Sequence, residues 1–445
     1  MPQKISRREL LAWMAAGGGA AATGGLLLSQ QDADPSASPT RPATGPSTAT
    51  TAPTPTTGSA SAASAATPTD RLLVVLEMPG GNDGHSMVVP DGVPGYYDLR
   101  PQTGIQRADV LRIDDRVGFA PSLPELHQRG ATIVHGVGST TPDGSHFEMM
   151  NRWWTGNPRL ADTPTGWVGR LADVLDDGSS PVTAMSVAAG GHPIIRSAKG
   201  TTIALPGVDS LWTVSGADPG DRFMQTYQQS LRTMTNSAGD TGPAHVARAT
   251  MSETIEFADQ LLAGTDREQV GEDPGDIDDG GYGWEQLGQA LRFAANTFER
   301  DLGVRVIHVS MTGDFDTHEG HAYSHPELMG ELDRALASFH ADLVGKGLDD
   351  RVAVMTVSEF GRTARENGSA GLDHGTSSTM LLEGPGLRAN HQLGEIPSLT
   401  QFDDNGDFLT TVPFDSYLAG VVEHWLEVPA SEVFPSDPAT LDIFA

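Results

Sequence analysis

Six short apolar runs, rich in Val, Ile, Leu and Ala and separated by amphipathic stretches, constrain this chain most. They cover residues 72–78, 131–137, 182–187, 304–310, 352–357 and 379–382. Runs of this length with little alternation read as strands buried on both faces. Helical patterns lie among them at 121–129, 146–154, 244–262, 283–298, 325–344 and 414–426. Ser122, with Glu125 three residues on, is expected to cap the first of these, and Asp415 the last. Strands alternating with helices imply an α/β chain whose mostly parallel sheet is covered on both faces.

Polar groups cluster where these runs end. Gly80-Gly81-Asn82-Asp83-Gly84 follows the first run. Asp314-Phe315-Asp316-Thr317-His318 follows the fourth, and Ser358-Glu359-Phe360-Gly361-Arg362 the fifth. Asp373-His374-Gly375 precedes the last. Singly, each reads as a turn, a cap or an ion pair, such as Glu359 with Arg362. Together they fit the edge of an α/β sheet, where successive strand tips build a site. Carboxylate oxygen and neutral imidazole nitrogen suit a divalent cation. Asp316 and His318 share a side of an extended segment, whereas Asp314 and His318 share a face if a helix begins there. Asp373 is placed to orient His374 or to ligate directly. Ser145 opens the 146–154 helix, as a cap or as a nucleophile favoured by the helix dipole. His135 and His192 carry no signal beyond packing.

Residues 6–28 read as an export signal. Ser6-Arg7-Arg8-Glu9-Leu10 is a twin-arginine pattern, and the Gly/Ala-rich stretch ending at Leu26-Leu27-Leu28 follows it. Residues 1–30 are therefore assigned to the signal, with the twin-arginine export machinery as partner. The expected location is extracellular, periplasmic or cell-envelope associated, and a retained signal would act as a membrane anchor. Residues 31–69, made of Pro, Ser, Thr and Ala, read as a disordered linker that cannot bury enough apolar surface to order itself. Residues 70–445 are expected to form one domain, with a helical insertion around 196–300. The acidic stretch 272–279 lacks the ligand spacing of a calcium loop.

The formal net charge of −30 excludes a nucleic-acid partner. It also means that an anionic substrate needs local positive charge from a metal or an arginine. The chain has no cysteine, which rules out disulfides and a thiol nucleophile. His318-Glu319-Gly320-His321 is one residue short of the zinc-protease spacing.

These segments, in this order, resemble a bacterial family of unknown function, DUF1501. Val134-His135-Gly136-Val137-Gly138, Ser145-His146-Phe147 and Trp154-Thr155-Gly156 belong to the same pattern. That family is similar to the alkaline phosphatase and sulfatase superfamily. The resemblance implies a three-layer α/β/α sandwich, alkaline phosphatase-like, with metal at the C-terminal edge of the sheet. It implies Asp83, Asp316 (or Asp314), His318, Glu359, Asp373 and His374 around a divalent metal: Zn, Mg, Mn or Ca. Ser145 or His146 falls at the nucleophile position, and Arg362 is a candidate anion clamp. One departure stands out: an Asp-His pair of the superfamily pattern is Glu359-Phe360 here, one imidazole short. The expected function is an exported, metal-dependent hydrolase of phosphate or sulfate esters acting on a small anionic ester. The alternative is a non-catalytic envelope protein that keeps the sandwich and a structural metal.

Overall fold

A computed structural model describes residues 70–159, 163–188, 191–205, 222–235, 243–262, 282, 285–396 and 398–444. The signal, the linker and the acidic stretch 272–279 lie outside the described residues.

All six apolar runs are strands. They are β1 (Leu72–Glu77), β5 (Thr132–Gly138), β6 (Ala184–Val187), β8 (Val306–Ser310), β9 (Val352–Val357) and β10 (Ser377–Glu383). Short strands β2 (Val88–Val89), β3 (Leu111–Arg112) and β4 (Gly118–Phe119) form a separate sheet. The main sheet runs β11-β5-β10-β9-β1-β8-β6-β7, where β7 is Thr202–Leu205 and β11 is Gln392–Leu393. A further strand, β12 (Val412–Pro413), pairs with β5. Strands β9, β1, β8, β6 and β7 are mutually parallel, and β10 is antiparallel to both β5 and β9.

The strand runs are largely apolar because both faces are covered. Leu72, Val74 and Leu76 pack in one core with Leu291 and Phe298 of helix Gln286–Glu299, and with Leu332, Leu336 and Phe339 of helix His321–Lys346. Leu73 and Val75 pack in a second core with Trp153, Leu171 and Leu418, from helices His146–Thr155, Trp167–Leu175 and Phe414–Leu426. The result is the expected three-layer sandwich with a mostly parallel sheet.

Four local expectations are corrected. The stretch 196–300 is not wholly an insertion, because Thr202–Leu205 adds β7 to the sheet beside β6. Helix His321–Lys346 begins four residues before the expected start, since His321 and His325 turn inward onto buried partners. Helix Pro124–Arg129 is not capped by Ser122, whose hydroxyl oxygen is buried without a hydrogen-bond partner. Instead Asp333, buried in another helix, accepts the backbone N–H groups of Glu125 (3.0 Å) and Leu126 (2.7 Å). Asp415 likewise does not cap its helix; it accepts the Ser436 hydroxyl at 2.9 Å.

A carboxylate acting as a cap from another helix joins two elements with one side chain. Asp333→Ala is expected to cost about 1–2 kcal/mol of stability in urea unfolding. Ser122→Ala is expected to stay within about 0.5 kcal/mol. The reverse order would contradict the assignment of the cap.

Candidate metal centre

The polar segments meet because their strands all end at one edge. β1, β8, β9 and β5 run toward it, so the segments that follow them gather there. β10 runs the other way, so the segment before it, Asp373-His374, arrives at the same edge. Gly80 has φ of +99°, and a Cβ there would lie 2.6 Å from the backbone nitrogens of Phe315 and Asp316. Only glycine lets the ends of β1 and β8 approach this closely.

Asp316, His318, His374 and His146 converge. His318 Nε2 and His374 Nε2 each lie 3.1 Å from Asp316 Oδ1, and His146 Nε2 lies 3.5 Å from it. His374 Nε2 is 2.9 Å from His146 Nε2 and 2.8 Å from His318 Nε2. The other nitrogen of each ring fixes its tautomer. His146 Nδ1 lies 2.8 Å from Glu359 Oε1, His318 Nδ1 lies 2.7 Å from Asp373 Oδ1, and His374 Nδ1 lies 2.7 Å from the Gly144 carbonyl. All three partners only accept, so each Nδ1 donates its proton outward. Each neutral ring is left with an Nε2 lone pair pointing inward.

Three lone pairs and a carboxylate oxygen crowded together repel unless a cation lies between them. Tetrahedral zinc with bonds of about 2.0 Å needs ligand atoms about 3.3 Å apart; the ligand atoms of His146, Asp316 and His374 lie 2.9–3.5 Å apart, and His318 flanks this trio beside Asp316 and His374. Outward hydrogen bonds from ligating histidines to carboxylates or carbonyls are the usual support of such a centre. The donor set therefore fits a divalent metal. Glu359 and Asp373 stand behind the imidazoles as their acceptors, and Glu359 also accepts the Gly80 N–H at 2.8 Å. The Glu359 hydrogen bond is the main cause that raises the His146 pKa. Burial works against Asp316 ionisation, but Arg362 outweighs it and lowers its pKa. The Asp373 pKa is lowered by its hydrogen bonds with His318 and Asn367.

Phe360, where the superfamily pattern has histidine, is fully buried and packs on His146 and His374, with ring centroids 4.8 and 4.9 Å away. His146 supplies the third imidazole instead, from a helix outside the strand-end pattern. Ser145 stands exposed at the N-cap position before it, and its hydroxyl does not cap the helix. Asp314 accepts the Asp316 N–H at 2.9 Å and so shapes the loop.

Two expected site residues are committed elsewhere. Arg362 is no anion clamp: its side chain is buried, with every nitrogen engaged. Asp83 is buried in a two-pronged pair with Arg100, with the Arg100 Nη2 group donating to Oδ1 at 2.9 Å and a second contact at Oδ2. Burial alone would raise the Asp83 pKa, but Arg100 holds it far below the usual range. His321, the second histidine of the near-miss protease motif, turns to Ser86 and Thr317, away from His318.

A second acid–histidine cluster was not read from the sequence. Glu77 Oε2 lies 3.1 Å from His192 Nε2 and 3.2 Å from His308 Nε2, all buried. Trp154 donates its indole N–H to Glu77 Oε1 at 2.6 Å. Here His192 Nδ1 accepts the Ile194 N–H, so its proton sits on Nε2 and faces Glu77. For His192 a donor meets the carboxylate, whereas His308 Nε2, 3.2 Å from Glu77, is buried without a hydrogen-bond partner. The overlooked signal was a Glu and a His inside runs otherwise built for burial.

Residues 116–408 match the family described as "Protein of unknown function (DUF1501)". The chain belongs to the DUF1501 family. No curated protein matches it. Among solved structures it is similar to a sulfatase, PsFucS1, from Pseudoalteromonas sp., at 13% identity and a TM-score of 0.35. That match covers 74% of this DUF1501 chain and 65% of the sulfatase, just under two thirds of its length. A protein in the alkaline phosphatase superfamily from Vibrio parahaemolyticus is similar at 9% identity and a TM-score of 0.36, covering 82% and 68% of the two chains. A TAB5 alkaline phosphatase mutant with bound Mg is similar at 12% identity and a TM-score of 0.32, covering 71% and 92%. These are distant likenesses, and the residue roles given above come from this chain's own geometry.

Removing one partner of a buried ion pair leaves the other charge uncompensated. Asp83→Ala is expected to cost about 3–5 kcal/mol while leaving the metal stoichiometry unchanged. Because the folded pKa of Asp83 is depressed, its contribution is present in full above about pH 4 and is lost as pH falls below that. Lost metal with unchanged stability would return Asp83 to the metal centre.

Proposed function

We propose that this protein is a metal-dependent hydrolase of phosphate or sulfate esters, exported by the twin-arginine pathway. The convergence of three inward imidazole lone pairs with Asp316 Oδ1 carries this reading. A bound divalent ion would supply Lewis acidity and neutralise charge on the displaced group. His146, Asp316, His318 and His374 would hold it. Glu359, Asp373 and the Gly144 carbonyl keep the imidazoles in the ligating tautomer. Phe360 excludes water from one side of His146 and His374. Ser145 and His146 stand at the start of a ten-residue helix, where unpaired backbone N–H groups favour developing negative charge. The exposed Ser145 hydroxyl is the candidate nucleophile. The twin-arginine pattern supports action outside the cytoplasm. No described helix is long and apolar enough to cross a membrane.

Elemental analysis of the purified protein, with a panel of aryl phosphates and sulfates, tests the reading. One equivalent of divalent metal is expected, lost in His374→Ala and Asp316→Ala. Glu359→Gln is expected to weaken metal affinity about 10–100-fold by loosening His146. Ser145→Ala is expected to keep the metal and lose most turnover. Absence of metal would sink the proposal. Bound metal with no ester turned over would favour the non-catalytic envelope role.

A further inference from the structure

We propose that the ester accepted at this site carries a single negative charge on its reacting group, as a phosphate diester or a sulfate monoester does. Doubly charged phosphate monoesters are disfavoured. This rests on the hydrolase reading above and narrows its substrate class.

Charge at the site sets the limit. Arg362, the cation nearest the ligands, gives Nε–H to the Gly81 carbonyl (2.8 Å) and Nη1 to the Leu372 carbonyl (3.2 Å). Its Nη2 group meets the Phe315 carbonyl (3.0 Å), the Gly80 carbonyl and Asp316 Oδ1 (2.7 Å). None of it is exposed. Arg100, the other buried guanidinium nearby, is spent on Asp83 and on the carbonyls of Thr363 and Ala364. Neither reaches a substrate. Asp316, Glu359 and Asp373 place three carboxylates around the imidazoles, against the one guanidinium of Arg362. Among the described residues, neither buried guanidinium is left to balance a doubly charged monoester.

The surroundings add to this. Asp143, Glu319 and Asp373 are exposed beside the ligands in the chain. Asp407 has its pKa pushed up to about 6 by burial, and then by its neighbours Asp403 and Asp373. Like charge in a partly desolvated site raises the cost of each further anion. Phe147 follows the ligand His146 and is 88% exposed. An exposed ring there suits an organic arm of the ester.

The test compares kcat/KM of the metal-loaded full chain for bis(4-nitrophenyl) phosphate, 4-nitrophenyl sulfate and 4-nitrophenyl phosphate. The pH is set well above the monoester's second ionisation, near about 6. One of the singly charged esters should exceed the monoester by about tenfold or more. Which one leads separates phosphate diesters from sulfates. Phe147→Ala should raise KM for the leading ester and leave metal content unchanged. Fastest hydrolysis of the monoester overturns the inference while the hydrolase reading stands. If nothing is hydrolysed, the hydrolase reading falls, and calorimetry decides the charge preference. Tighter binding of diphenyl phosphate than of phenyl phosphate upholds it, and the reverse overturns it.

Discussion

One buried guanidinium holds the functional edge together. Arg362 follows β9 and donates to carbonyls after β1, after β8 and before β10, as well as to Asp316. These carbonyls belong to loops that cannot pair in a sheet ladder, and each would be costly to bury unpaired. A guanidinium is suited to satisfy several at once, because its donors fan out in a plane and it is always charged. Its own burial is offset by those acceptors and by the Asp316 carboxylate. Asp316 is then fixed where the imidazoles reach it. The site geometry thus depends on a residue that touches no ligand atom except Asp316.

The two acid–histidine clusters show why composition alone does not name a metal site. Both gather imidazoles and a carboxylate whose ligand atoms lie within 4.8 Å of one another. They differ in where the protons go. Around Asp316 each ring sends its proton outward to an acceptor, so lone pairs face one another. Around Glu77 the His192 ring accepts from the backbone and turns its proton inward, so donor meets carboxylate. The Glu77 carboxylate is held ionised against burial by His192 and His308. Burial drives the His308 pKa down to about 4. The first arrangement fits a cation; in the second, His192 meets the carboxylate, and His308 Nε2 is left buried without a hydrogen-bond partner.

Much of this was legible in the sequence. The strand runs are apolar on both faces because helices cover both, and that burial leaves a strong signature. Asp316, His318 and His374 stood out because polar groups at strand ends are conspicuous beside such runs. What failed was the assignment of partners. Asp83 looked like a ligand because it follows β1, but Arg100, seventeen positions later, folds back onto it. Arg362 looked like a free clamp because sequence does not show which carbonyls lack donors. His146 drew attention through its helix start, yet its role as the third imidazole depends on a helix that begins after β5 and on Glu359 from the segment after β9. Such pairings between distant segments carry no local pattern.

The central claim is that a cation lies among His146, Asp316, His318 and His374. Anomalous diffraction from crystals of the protein purified with its native metal tests it most directly. The account predicts one strong peak, about 2.0–2.2 Å from the three Nε2 atoms and Asp316 Oδ1. It also predicts no peak at Glu77, His192 and His308. A peak in the Glu77 cluster, or none at Asp316 with the imidazoles hydrogen-bonded to one another, would contradict it.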